Sequence, residues 1–146
     1  MIRQLGTMLA ILASVTLSAC KASYEGPCAL IPPAAFQQAV GIEPVDVEAN
    51  IDPEYCKWII SGEGFDEESF VLLVFDTRLT SSMSAGSGEP VEGLGERAHR
   101  NSNSLVAVQG PWILELRWLY RPFSGDAEME ETATVALMRH AIGRLP

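Results

Sequence analysis

The most regular pattern in this chain runs from Trp112 to Tyr120, in the segment WILELRWLY. Every second residue is large and apolar: Trp112, Leu114, Leu116, Trp118 and Tyr120. The intervening positions are mixed, because Glu115 and Arg117 lie between Ile113 and Leu119. A repeat of two residues is typical of a β-strand, in which successive side chains point to opposite faces of the sheet. The segment therefore predicts a sheet with one wholly apolar face, which other elements have to cover.

Two strands are predicted before this one. The segment YCKWIISG places Cys56, Trp58 and Ile60 on one face of a strand. Ser69 to Thr77 is apolar at nearly every position, which predicts a central strand that is covered on both sides. The intervening segment GEGFDEE is interpreted as the hairpin loop that joins them.

Two more segments are candidates for strands, and a third is predicted to be a connection. Leu105 to Gln109 is a predicted strand, and Gly110-Pro111 is the turn that follows it. The segment AHRNSN is interpreted as an edge strand or a turn. Residues Ile42 to Glu54 are acidic and contain two prolines, which favours an exposed connection.

A short helix is predicted near the N-terminus of the folded part. Pro32-Pro33 suits a first helical turn, Ala34 to Val40 continues the helix, and Gly41 is a natural end. The apolar residues of this helix share one face: Ala35, Phe36, Ala39 and Val40.

A longer helix is predicted at the C-terminus. Ser124 or Asp126 can cap its start, acidic residues follow in the first turns, and basic residues come near its end, which complements the helix dipole. The predicted buried stripe consists of Val135, Met138, Ile142 and Leu145. Together these elements predict an α+β fold. An antiparallel sheet of about five strands carries a short N-terminal helix and a C-terminal helix packed on it.

The first 20 residues have the form of a secretory signal. Arg3 precedes an apolar stretch from Met8 to Leu17, which is too short to span a bilayer as a permanent helix. The segment Leu17-Ser18-Ala19-Cys20 resembles the lipobox of bacterial lipoprotein precursors, in which the cysteine receives a diacylglycerol and the chain is cut just before it. The alternative is a buried cysteine at the end of a membrane helix.

This resemblance implies an organisation and a location. Residues 1–19 are the expected signal peptide, residues 20–27 a tether and residues 28–146 a single domain. The expected location is the cell envelope: the outer membrane facing the periplasm in a Gram-negative cell, or otherwise the outer face of the cytoplasmic membrane. Two acyl chains on Cys20 would anchor the protein stably.

Cys28 and Cys56 remain as a pair once Cys20 is assigned to the lipid. In an oxidising compartment a disulfide is the default interpretation, and it would stabilise the fold by roughly 3–4 kcal/mol. A pair of free thiols and a metal site are the alternatives. A metal site needs two further ligands, and His99 and His140 show no ligand spacing, so no metal is predicted.

The charge of the chain bears on its partners. Without Arg3 the predicted mature chain has nine Lys and Arg residues against 19 Asp and Glu, a net charge of about −10. Such a surface repels phosphate, which disfavours nucleic acid as a partner. The expected partners are the membrane, through the N-terminal lipid, and an envelope protein or a cell-wall component. No cofactor is predicted.

Short motifs of the mature chain carry a second resemblance. They are Cys28-Ala29-Leu30-Ile31, the helix that ends at Gly41, Cys56-Lys57-Trp58, and Gly93-Leu94-Gly95-Glu96-Arg97-Ala98. This pattern resembles small secreted bacterial lipoproteins of unknown function, many of which are similar to the PsbP-like α/β/α sandwich. The resemblance implies that fold and a disulfide, and it implies no catalytic residues.

Two functional hypotheses follow from the sequence. The first is a non-catalytic, lipid-anchored module that binds through its acidic surface or through the Ser- and Gly-rich loop from Arg78 to Arg97, which has a short helix predicted near Leu79 to Ser84. The second is a small enzyme or ligand carrier with a pocket between the sheet and the C-terminal helix. The residues placed at that pocket are Trp112, Trp118, Tyr120 and His140. No catalytic residue is assigned, and the sequence favours the first hypothesis.

Overall fold

A computed structural model of the chain describes residues 24–51, 54–62, 65–76, 88–119 and 127–146. The described helices are α1 (Pro27–Leu30), α2 (Pro33–Val40) and α3 (Ala127–Ile142). The described strands are β1 (Asp46–Ile51), β2 (Glu54–Gly62), β3 (Phe65–Asp76), β4 (Glu89–Pro90), β5 (Arg97–Arg100), β6 (Ser104–Gln109) and β7 (Trp112–Leu119). The predicted α+β class is confirmed.

The seven described strands form one antiparallel sheet in the order β1-β2-β3-β7-β6-β5-β4. Strands β1 to β3 form one meander, strands β4 to β7 form another, and the pairing of β3 with β7 joins them. The sheet is larger than the predicted five strands. The acidic segment that was expected to be an exposed connection contains β1, and β4 was not predicted.

The hairpin between β2 and β3 is tighter than predicted. The segment GEGFDEE was expected to be its loop, yet Gly62 pairs with Phe65 and β3 already begins at Phe65. The ladder shifts register between Ile60 and Gly62, and such an irregularity is common near the end of a strand pair. The strands therefore continue through residues whose polar character suggested a loop.

One face of the sheet, which we call the inner face, forms the hydrophobic core. Trp58, Phe70 and Trp118 are aligned across β2, β3 and β7, and all three are buried. The next row along the strands places Leu72 beside Leu116. The predicted alternation in β2 and β7 is confirmed, because every described residue on the predicted apolar face lies on the inner face.

Helix α2 covers this face as its sequence predicts. Phe36 is fully buried and stacks on Trp58, with ring centroids 5.6 Å apart. The Phe36 ring also meets Phe70 edge-on at 5.4 Å. The helix ends at Gly41, whose left-handed backbone donates its N–H to the carbonyl oxygen of Gln37.

Helix α3 packs against α2 with a stripe that is rotated from the predicted one. Met138 is buried as expected, but Val135, Ile142 and Leu145 are only partly buried. The other fully buried positions of α3 are Ala133, Thr134, Leu137 and Ala141. The prediction omitted Leu137, although it is large and apolar, and it did not weigh the small alanines, which let a helix approach its neighbours closely. The Thr134 hydroxyl donates a hydrogen bond to the carbonyl oxygen of Glu130, one turn back.

The opposite face of the sheet, which we call the outer face, is not covered by α1, α2 or α3. Ile59, Val108 and Ile113 are nevertheless buried on this face, and Val71, Leu73 and Phe75 of β3 are half-buried there. Among the described residues, the predicted double-sided covering of β3 is therefore complete on the inner face and partial on the outer face. Glu115 is only 6% exposed and accepts two hydrogen bonds from Arg117, at 2.6 Å and 3.0 Å. This paired geometry satisfies the carboxylate that β7 places among apolar neighbours.

The turn before β5 requires glycine at position 95, and a substitution can test this requirement. Gly95 has a φ of 58°, and a Cβ there would lie 2.5 Å from the carbonyl oxygen of Val108. We expect Gly95→Ala to lower the free energy of unfolding by about 2–3 kcal/mol, measured by urea denaturation. The matched control is Gly93→Ala, whose φ of 76° is similar but whose Cβ would have open space. An equal loss in both variants would contradict the steric explanation.

Candidate functional site

Tyr24 is the first described residue, and it belongs to the fold although the sequence places it in the tether. Its ring packs against Trp112 at the start of β7, with centroids 5.4 Å apart and planes tilted by 37°. Tyr24 is half-buried and lies against the hydrophobic core. Tyr24, the fourth residue after Cys20 in the sequence, is therefore packed into the fold.

The Tyr24 hydroxyl lies in an unusual environment for a phenol. Burial, and then the negative charge of the nearby Glu54 carboxylate, raise the pKa of Tyr24 well above its ordinary value. The hydroxyl oxygen is buried and faces the Glu54 carboxylate, and its interaction with that carboxylate also raises the pKa, although the contact is looser than a standard hydrogen bond.

Two clefts open on either side of this side chain. One has a volume of about 480 Å³ and lies between the Tyr24 segment and the C-terminus, where Arg144 and Leu145 form its far wall. The other has a volume of about 390 Å³ and lies between the same segment and the end of β1. Its described lining is Tyr24, Glu25, Gly26, Pro27, Cys28, Ala49, Asn50, Ile51 and Glu54.

The disulfide predicted between Cys28 and Cys56 is confirmed, and it holds one wall of the second cleft in place. The two Cα atoms are 4.9 Å apart and 28 residues separate the cysteines along the chain. Cys56 is fully buried in β2, whereas Cys28 is partly exposed and lines the cleft. The bond ties α1, and with it the Tyr24 segment, to the sheet.

Three of the four residues of the predicted pocket are described, and they lie in different surroundings. Trp118 is 2% exposed in the core, and its indole N–H finds no acceptor among the described residues. Trp112 packs against Tyr24 at the other end of β7, and His140 is exposed in the last turn of α3. In the described part, the space between the sheet and α3 is filled by apolar side chains.

Several predicted features lie outside the described residues. They are Tyr120, Cys20 with the signal peptide, the helix caps Ser124 and Asp126, and the loop from Arg78 as far as residue 87 with its short predicted helix. Of that loop, residues 88–97 are described and include β4 and the turn of Gly93 to Gly95.

The described residues also bear on metal and membrane interpretations. They contain no group of three or more His, Cys, Asp or Glu side chains that could hold a metal ion. None of the described helices is both long and apolar enough to cross a bilayer.

Comparison with known proteins adds no relative. The chain matches no protein-family model, no curated protein and no solved structure.

The sequence contained only a weak signal for this site. Tyr24 follows Lys21 and precedes Glu25 and Gly26, and such a polar segment is typical of a tether. The partner that fixes Tyr24 is Trp112, 88 residues further along the chain. A contact at that separation cannot be derived from local periodicity. The one local signal was that an aromatic residue, Tyr24, lies close to Cys28, whose disulfide joins α1 to the sheet.

Proposed function

We propose that this chain is a lipid-anchored protein of the cell envelope that acts as a non-catalytic binding module at the membrane surface. The proposal rests on the lipobox-like segment that ends at Cys20 and on the short sequence between Cys20 and the packed Tyr24. Tyr24 is the fourth residue after Cys20, and an extended chain of four residues spans at most roughly 14 Å. A diacylglycerol on Cys20 would therefore hold the Tyr24 clefts close to the bilayer.

The binding partner in this proposal is an envelope protein or a cell-wall component that reaches the membrane surface. Tyr24, Ile51 and Glu54 lie at the same end of the domain, because they line one cleft. Ile51 is 92% exposed at this cleft. A PsbP-like α/β/α sandwich remains part of the proposal, and helices α1 to α3 would supply one of its two helical layers.

The anchor is tested by Cys20→Ala in the full-length precursor. We expect the unchanged protein to incorporate radiolabelled palmitate, to lose residues 1–19 and to partition into the detergent phase of Triton X-114. The variant should incorporate no label and keep its signal segment, because the thiol that accepts the diacylglycerol is gone. Ser18→Ala is the matched control, since it keeps a small residue in the Leu17–Cys20 motif. Equal labelling and partitioning of the Cys20→Ala variant would refute the anchor.

A further inference from the structure

The disulfide presents its two sulfur atoms unequally to solvent. Cys56 is fully buried in β2, among the apolar side chains of the inner face. Cys28 is partly exposed and lines the second cleft, whose volume is about 390 Å³. Its Sγ atom lies 3.9 Å from the carbonyl oxygen of Glu48, and this is a contact rather than a hydrogen bond, because a disulfide sulfur carries no proton. A small reagent that enters the cleft can therefore reach the sulfur of Cys28 but not that of Cys56.

Helix α1 is held to the sheet by more than the disulfide. Before the helix, the ring of Tyr24 packs against Trp112. At its end, Leu30 and Ile31 are buried in the hydrophobic core. These contacts do not depend on the sulfur–sulfur bond, so α1 remains packed when that bond opens. Cys56 then becomes a free thiol in the core, and free cysteine is among the residue types most often buried.

The charge of the second cleft selects among thiols that could react there. Glu25 and Glu54 both line the cleft, and none of its described lining residues is Lys or Arg. A thiol attacks a disulfide as its thiolate anion, which the two carboxylates repel. A positive charge next to the attacking sulfur offsets this repulsion, because it is attracted by the same carboxylates. The cleft therefore favours a thiol that also carries an ammonium group.

We infer that Cys28 is a site of covalent modification by a small thiol that carries a positive charge, and that the reaction takes place in the folded protein. The thiolate sulfur forms a bond to Cys28 Sγ, the bond between Cys28 and Cys56 breaks, and the Cys56 sulfur leaves with the electron pair and takes a proton from water. One disulfide replaces another, so no further oxidant or reductant is consumed. Apolar surroundings disfavour a thiolate at Cys56, which slows both this step and its reversal. This inference goes beyond the binding module proposed above.

Mass spectrometry of the modified protein identifies the sulfur that is attacked. Cys20→Ala in the full chain, purified in detergent, leaves Cys28 and Cys56 as the remaining cysteines and makes the result independent of the anchor. The folded protein is incubated with cysteamine and its disulfide cystamine, and free thiols are then blocked with N-ethylmaleimide in mildly acidic urea. Cleavage after Glu43 and Glu54 places the two cysteines on different peptides. We expect cysteamine on Cys28 and maleimide on Cys56, and an adduct found mainly on Cys56 would overturn the proposal.

The rate of modification shows whether the protein reacts while folded. Gly95→Ala, made in the same protein, should increase the unfolded population roughly thirtyfold or more. If the folded protein reacts, the rate should change by less than about twofold, because the cleft is the same in both proteins. Urea concentrations below the unfolding transition provide the same comparison without a substitution. A rate that rises in proportion to the unfolded population would show that unfolding has to come first, and would overturn the proposal.

Three thiols with the same two-carbon skeleton test the selection by charge: cysteamine, 2-mercaptoethanol and 2-mercaptoethanesulfonate. For each thiol, the rate with the folded protein is divided by the rate with the same protein in urea, which cancels the intrinsic reactivity of the thiol. We expect this ratio to be at least about fivefold larger for cysteamine than for the sulfonate. Equal ratios for the three thiols would overturn the proposed class of thiol.

Variants of the two glutamates locate the charge effect. Glu25→Gln and Glu54→Gln should each reduce the difference between cysteamine and the sulfonate about twofold. The matched control is Glu92→Gln, an exposed residue between β4 and β5 at the opposite edge of the sheet, which removes the same charge and should leave the difference unchanged. If Glu92→Gln reduced the difference as much as Glu54→Gln did, the effect would come from the overall charge, and the selection by the cleft would be wrong.

Discussion

Replacement of Phe36 by alanine is expected to lower the free energy of unfolding by about 3–5 kcal/mol, the largest effect of any single change discussed above. Phe36 is the side chain through which α2 reaches the sheet, because it is fully buried between Trp58 and Phe70. Its removal leaves a cavity beside two aromatic rings that are held in place by β2 and β3. Urea denaturation followed by circular dichroism measures the loss.

The control for Phe36→Ala lies on the same helix. Gln38 is exposed on α2, so Gln38→Ala should change the free energy of unfolding by no more than about 0.5 kcal/mol. Phe36→Leu should recover part of the loss, since leucine fills part of the cavity. A loss below about 1 kcal/mol in Phe36→Ala would show that α2 does not contribute to the core as the structure indicates.

Removal of the disulfide should have the second largest effect. We expect the double variant Cys28→Ala with Cys56→Ala to lose about 3 kcal/mol of unfolding free energy, because the unfolded chain is no longer restricted by a closed loop of 28 residues. Reduction of the unchanged protein with dithiothreitol is the better-matched control, since it keeps both sulfur atoms in place. Its loss should be similar.

Thiol chemistry checks the same bond without a stability measurement. In the denatured protein, neither Cys28 nor Cys56 should react with a thiol reagent before reduction, and both should react after it. Reaction of both thiols before reduction would mean that the bond is absent.

The parts of the fold that could be predicted are those in which periodicity and burial agree. In β7 the inner positions are apolar without exception, and the prediction of that face was correct. In α2 the proline start and the glycine end are local signals, and both boundaries were correct to within one residue. Such features depend on neighbouring residues alone, so they are readable before any tertiary contact is known.

Strand β1 shows why other parts were not predicted. Its sequence, DVEANI, alternates polar and apolar residues, but five acidic residues and two prolines in the surrounding segment favoured a connection. An edge strand buries little surface and can therefore be polar, so its composition resembles that of a loop. In this case the alternation was the reliable signal and the composition was misleading.

The candidate site was the least predictable feature, for a related reason. The sequence left open whether the aromatic residues of β7 belong to the core or line a pocket, and only the structure shows that Trp118 is in the core while Trp112 meets Tyr24. Both residues have the same pattern around them. The two tryptophans differ in their position along β7: Trp112 lies at the end of the strand that packs against Tyr24. Which end of β7 lies near Tyr24 depends on the order of strands in the sheet.

The arrangement of the strands in two meanders also predicts the order in which the strand pairings form during folding. Within each meander, strands pair with their neighbours in sequence, whereas the pairing of Asp76 with Trp112 closes a loop of about 36 residues and costs roughly 3 kcal/mol of chain entropy. This closure is the step expected to limit the folding rate. Both paired cysteines precede it along the chain. In a protein exported as proposed, oxidation would therefore secure the first meander before the second has emerged, so that only one slow docking event remains.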